Sequence, residues 1–212
     1  MYKRFIEIMD NCACLAKSSL VVAAADAESV EAVRLAIGRG LGHAALVGDR
    51  NVIRTAAESA GISDKIDIID AKGPIEASEK AVTMINSGHG NVLLKGLVNT
   101  ADFLKAVLNR ENGLRTGRML SHISIMEIPG ENHLSFCADS GFIVAPDLEQ
   151  KKKILRNSLE AIHALGYEHV NVACIAANER VDPNVPSTVD AAALAQAWRD
   201  GEFDDLPCTC TV

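Results

Sequence analysis

The feature that most constrains this chain is a regular alternation of short apolar runs with longer stretches of helical spacing. Leu20–Ala25 is a continuous apolar run, the mark of a strand buried on both faces. Residues 27–39 then carry Val30, Val33, Ala36 and Ile37 on one helical stripe, which ends at Gly38 and Gly40. The same reading predicts strands over 44–48, 66–70 and 91–96 and helices over 51–60, 74–87 and 100–109. Pro74 and Gly88 bracket the helix over 74–87. Strands and helices that alternate through short connections imply parallel β-α-β units and a sheet covered by helices.

The pattern changes near residues 118–122. Residues 121–127 and 134–138 read as two strands that can pair as a hairpin across the turn at 129–132. A long amphipathic helix is predicted over 146–165, with Pro146 at its start and Gly166 at its end. An apolar strand follows at 170–177, then a helix over 187–199 with Ser187 or Thr188 as its cap. The break divides the chain into a first α/β domain, 1–120, and a second, partial one, 121–212. A further buried strand is due after Gly201, yet the tail up to Cys208-Thr-Cys-Thr-Val212 reads as no element. The parallel sheet is therefore expected to lack members.

Composition narrows the function. The 212 residues include 21 Lys and Arg against 28 Asp and Glu, a net charge of −7, which argues against nucleic acid as a partner. An anionic substrate stays open, because a few cations can be focused in one cleft. No apolar run approaches the roughly 18 residues of a membrane span, and Glu7, Asp10 and Lys17 interrupt what a signal peptide would keep apolar. Of six cysteines, Cys137 and Cys174 are expected to be free and buried. The pairs Cys12/Cys14 and Cys208/Cys210 lack the usual zinc spacing and a nearby His, so no metal is expected. A reducing, cytoplasmic location follows from this cysteine usage.

Four places can carry chemistry. The first is Lys95-Gly-Leu-Val-Asn-Thr100, where a strand hands over to a helix. Ligands of open α/β sheets bind beyond the carboxyl ends of strands. A helix N-terminus offers N–H groups and a positive dipole end to an anion, with Thr100 as cap, Lys95 adding charge and Gly96 allowing close backbone approach. The same residues also fit a capped helix beside a solvated lysine. The second place is the basic loop holding Arg115 and Arg118, with Lys105 and Arg110 upstream, either a phosphate clamp or a solvated loop. The third is Ser121, His122 and Ser124. Neighbours on a strand point to opposite faces, so His122 is poorly placed to serve Ser121, and hydrogen-bonding roles are favoured. The fourth, Asp139-Ser-Gly141, reads as an Asx turn or a substrate-orienting turn.

The chain resembles the phosphate acetyl/butyryltransferase family, and within it the butyryl branch more closely. The carrying stretches are Val21-Val-Ala-Ala-Ala-Asp26, Ala45-Leu-Val-Gly-Asp49, Leu94-Lys-Gly-Leu-Val-Asn-Thr-Ala-Asp-Phe-Leu-Lys105, Gly113-Leu-Arg-Thr-Gly-Arg-Met-Leu-Ser-His122, Ala145-Pro-Asp-Leu-Glu-Gln-Lys-Lys152 and Val189-Asp-Ala-Ala-Ala-Leu194. The resemblance implies a two-domain α/β fold like that of the isocitrate and isopropylmalate dehydrogenases, with a cleft between domains. It implies the reaction acyl-CoA + phosphate ⇌ acyl phosphate + CoA, with CoA as substrate, no bound cofactor or metal, and a homodimer. Substrate binding falls on Lys95, Gly96, Asn99, Thr100, Lys105, Arg115, Arg118 and Ser121. Of these, Lys105 stands where the acetyl branch carries an Arg implicated in substrate binding. Family members continue beyond this chain, with a Ser-Arg pair and an Asp base in that part, so the expectation is a fold incomplete at its C-terminus. A premature stop or a frameshift would account for it. The alternative is a non-catalytic α/β protein that binds phosphate, CoA or a partner.

Overall fold

The computed structural model describes residues 2–13, 18–40 and 42–211, with Cys12 and Ala13 described by backbone alone. The chain forms two compact units, Met9–Arg118 and Met1–Ile8 with Met119–Val212. Helix α1 (Phe5–Ala13) begins the chain, an element the sequence reading did not foresee.

The unit Met9–Arg118 contains β1 (Ser18–Ala23), α2 (Ala27–Gly38), β2 (Gly42–Gly48), α3 (Arg50–Ala60), β3 (Ile66–Asp70), α4 (Gly73–Asn86), β4 (Val92–Lys95) and α5 (Thr100–Val107). All pairings in its sheet are parallel, in the order β3-β2-β1-β4. Alternate residues of a strand face opposite ways, and β1 shows it. Leu20 and Val22 pack with Val30 and Val33 of α2 and Ile53 and Ala57 of α3. Val21 and Ala23 pack with Ala77 and Ala81 of α4 and with Phe103 of α5. The helices therefore cover both faces. The chain winds outward from β1 to β3 over one face, then returns over the other to place β4 on the far side of β1. Asp26 and Asp49 cap α2 and α3 through their carboxylates, accepting from Ser29 N and from Asn51 N and Val52 N.

The other unit opens with an antiparallel hairpin, β5 (Ile123–Glu127) and β6 (Leu134–Ala138). Helix α6 (Leu148–Ala164) follows, held at its start by a capping box between Asp147 and Gln150. Then come β7 (Val170–Ala173), α7 (Pro186–Arg199) and β8 (Cys208–Thr211). The tail that read as no element is thus a strand, parallel to β7 with Val172 opposite Cys210. Its Cys-Thr-Cys-Thr alternation turns both cysteines inward, and the Trp198 indole donates to the Cys208 carbonyl at 2.8 Å.

Other expectations also shift. Neither Ser187 nor Thr188 caps α7: Val185 is the cap and Pro186 opens the helix, while the buried Thr188 hydroxyl donates to the carbonyls of Asp182 and Val185. Cys137 is exposed rather than buried, because β6 turns Leu134 inward and Cys137 lies on the opposite pleat; Cys174 is half-buried. The N-terminal residues, read with the first domain, belong with the second unit. The Tyr167 hydroxyl donates to the Tyr2 carbonyl at 2.7 Å, and Glu127 accepts from Arg4 Nε and Phe5 N, each at 2.9 Å.

Ile53 is 0% exposed and fills the α3 side of the first core. Ile53→Ala leaves a cavity there and should lower unfolding free energy by about 2–5 kcal/mol in urea denaturation. A loss within about 0.5 kcal/mol would contradict this packing.

Candidate functional site

The reversal of winding between β1 and β4 makes a switch point, the place where open α/β sheets take ligands beyond the carboxyl ends of their strands. Two backbone features build it. Ala24, just past β1, is held at a φ of 55°, a left-handed conformation that an alanine rarely adopts. Gly96, just past β4, lies directly on β1: its N–H donates to the Ala23 carbonyl and that of Leu97 to the Ala24 carbonyl, each at 2.8 Å. A Cβ on Gly96 would stand 2.4 Å from the Ala24 oxygen and 2.8 Å from Ser29 Oγ. The close approach that Gly96 allows is therefore to β1 itself.

The cap of α5 is Asn99, not Thr100. The Asn99 Oδ1 accepts from Ala101 N at 2.8 Å, and Thr100 is the first helical residue. The first N–H groups of a helix have no partner within it, so with Ala101 satisfied by Asn99, the amides of Thr100 and Asp102 remain at the positive end of the helix dipole. Lys95 ends β4, exposed and in no ion pair among the described residues. A lysine, a helix start with unbonded amides and a hydroxyl thus follow one another along a short turn.

The structure brings Lys95, Gly96, Asn99 and Thr100 together on this turn. Lys105 stands apart. Five residues along a helix turn a side chain by about 140° relative to Thr100. Its Nζ pairs with Asp102 Oδ1 at 2.9 Å. Lys105 instead lines a groove of about 860 Å³ between α4 and α5, with Glu76, Glu79, Lys80 and Asp102. Arg115 and Arg118 lie on an exposed segment that folds back on α5 through a 2.8 Å bond from Leu114 N to the Val107 carbonyl. Ser121 belongs to the other unit, where its Oγ accepts from Asn157 Nδ2 at 2.9 Å.

A second cluster lies in the unit that holds Ser121. His122 Nδ1 is 2.8 Å from Ser140 Oγ, which is 2.9 Å from Ser124 Oγ, and the imidazole stacks on Phe142. The sequence reading singled out these residues in two separate places and did not join them. The hairpin joins them, because the register Ile123↔Ala138 carried one step further sets His122 opposite Asp139. Asp139 makes the Asx turn: Oδ1 accepts from Gly141 N and Phe142 N, and Oδ2 from His122 N. Partial burial pushes its carboxyl up, but four backbone N–H donors, from Gly141, Phe142, His122 and Ile143, outweigh this and hold it below the ordinary value.

Among the described residues no group of three or more His, Cys, Asp or Glu is placed to hold a metal ion. The side chains of the Cys12/Cys14 pair lie outside what is described, and Cys208 and Cys210 are buried on β8. No helix among the described residues is long and apolar enough to cross a membrane.

Comparison with known proteins defines first a class, the acyl-phosphate-forming transferases. The family described as phosphate acetyl/butaryl transferase matches residues 75–206. The phosphate butyryltransferase of Clostridium acetobutylicum is 39% identical over 205 residues, covering 96% of this chain and 68% of that protein. The phosphate acetyltransferase of Rhizobium meliloti is 35% identical over 73% of this chain and 48% of its own length. Among solved structures, a branched-chain phosphotransacylase from Enterococcus faecalis V583 superposes with a TM-score of 0.77 at 22% identity, over 92% of this chain and 67% of its own. The chain belongs to the phosphate acetyl/butyryl transferase family.

The Asp139 carboxyl has a lower value folded than unfolded, so its stabilising effect is present above the unfolded value and is lost as pH falls through the folded one. Asp139→Asn should therefore destabilise most near neutral pH, with the gap to the parent chain closing in acid. Urea midpoints at a series of pH values measure this; a gap that stays constant into acid would contradict the assignment.

Proposed function

We infer that this chain exchanges a short acyl group between coenzyme A and inorganic phosphate. The observation that carries the reading is membership of a family whose matched stretch includes the β4–α5 turn, where Lys95 ends a strand and Asn99 caps the helix that follows. In the forward direction a phosphate oxygen bonds to the thioester carbonyl carbon, the carbon–sulfur bond breaks, and sulfur leaves with the electron pair and takes up a proton. No oxidation state changes, so the exchange itself calls for no redox group. The protein must hold phosphate against the thioester and meet negative charge as it grows on the carbonyl oxygen.

Lys95, the amides of Thr100 and Asp102 and the Thr100 hydroxyl are suited to the first of these tasks, with Asn99 fixing the helix end and Gly96 fixing the turn on β1. Lys105, Arg115, Arg118 and Ser121 complete the set of substrate-binding residues in this reading, on the support of the family resemblance. Lys105 would exchange Asp102 for the substrate. The butyryl rather than the acetyl branch is supported by identities of 39% and 37% to butyryltransferases against 35% to an acetyltransferase. A two-domain arrangement like that of the isocitrate and isopropylmalate dehydrogenases, a cytoplasmic location and a homodimer belong to the same proposal.

Release of CoA from butyryl-CoA, followed at varied phosphate, tests the reading. A hydrogen bond to a charged group is worth about 1.5–3 kcal/mol, so Lys95→Ala should raise KM for phosphate roughly 10- to 150-fold and change kcat less. Phosphate that protects the fold against heat without turnover would favour the binding-only alternative, and an unchanged KM would remove Lys95 from the site.

A further inference from the structure

The parallel pairing of β7 and β8 brings two thiols into contact. Cys174, one residue past β7, has its Sγ 3.6 Å from that of Cys210 on β8. The two differ in surroundings. Cys210 is 2% exposed. Cys174 is half-buried and lines a cavity of about 660 Å³, together with Lys151 and Asp190, which form an ion pair at 2.5 Å.

We propose that Cys174 and Cys210 are an oxidisable thiol pair, a modification site at which a small peroxide closes a disulfide between β7 and β8. The hydrogen bond from Cys210 lowers the Cys174 thiol below its ordinary value; partial burial opposes this, and the charge of Lys151 adds to it. Cys210 is raised by the same hydrogen bond, by burial and by the Cys174 charge, with Arg199 pulling the other way. Cys174, the more exposed of the two and the one with the lowered value, is the nucleophile. The Cys174 thiolate attacks one peroxide oxygen and the O–O bond breaks. This gives a sulfenic acid and hydroxide, which takes a proton to become water. The Cys210 sulfur then attacks the Cys174 sulfur, the S–O bond breaks, and a second water leaves with the Cys210 proton. Two thiols lose two electrons to hydrogen peroxide and two waters are formed. Cys174 meets the solvent-reachable cavity and Cys210 stands behind it, which is the order the two steps require.

The test uses the fully reduced 212-residue chain treated with a small excess of hydrogen peroxide, then digested with trypsin without reduction and read by mass spectrometry. The expected product joins the peptide 157–180, which carries Cys174, to the peptide 200–212, which carries Cys208 and Cys210, and is lighter than their sum by two hydrogens. Cys208→Ser should keep this product. Cys210→Ser should lose it and leave Cys174 as a sulfenic acid, captured by dimedone. Cys174→Ser should lose both signals. Oxidation that falls on the exposed Cys137, or on Cys12 and Cys14, while Cys174 stays open to alkylation would overturn the proposal. So would a joined product that survives Cys210→Ser, since it would run through Cys208.

Discussion

The structure of the unit Met9–Arg118 depends on one backbone contact: the crossing of Gly96 over the end of β1. Two amides, from Gly96 and Leu97, extend the β1–β4 pairing past its last paired residues and tie the turn after β4 to the carbonyls of Ala23 and Ala24. Without that pairing the winding would not reverse at β1, and the first turn of α5 would not be set beside the carboxyl end of the sheet. Only glycine fits, because the Ala24 oxygen occupies the space of a Cβ. The strained Ala24 lies on the other side of the same contact. Backbone geometry therefore fixes the turn, and in the proposed reading the charged side chain is added to a scaffold whose helix start presents N–H groups to an anion.

The second unit makes its polar cluster by different means. A short antiparallel hairpin sets the residue before β5 opposite the residue after β6, and a carboxylate binding consecutive amides shapes the turn that follows. His122 thereby faces Ser140 and not its neighbour Ser121, which turns to Asn157. The pleat decides which residues meet, as it does for Cys137 and for the inward cysteines of β8.

Much of this was legible in the sequence, for physical reasons that differ by element. Strands β1 to β4 and helices α2 to α5 carry strong periodic signals and glycine or proline punctuation, and each was read close to its observed bounds. Helix α1 is hard to read because its apolar residues are interrupted by Glu7 and Asp10 and also fit a leader pattern. Strand β8 was missed because Cys-Thr-Cys-Thr is a weak apolar signal, and its alternation has meaning only once β7 is there to pair with it. At the site, Thr100 and Asn99 are both good capping residues; local spacing does not choose between neighbours, whereas the backbone at Asn99, with a ψ of 135°, does. The separation of Lys105 from Thr100 follows from helical rotation. The His122–Ser140 contact was implicit in the predicted hairpin and needed only its register.

The central claim is that inorganic phosphate is bound by the amides at the start of α5 beside Lys95. Titration of phosphate into the isotope-labelled chain, followed by amide chemical shifts, tests it most directly. The account predicts that the largest saturable shifts fall on residues 96–102, with smaller ones at 24–26 across the β1–β4 contact. Shifts centred on the His122–Ser140 cluster or on the α4–α5 groove, with the start of α5 silent, would contradict it.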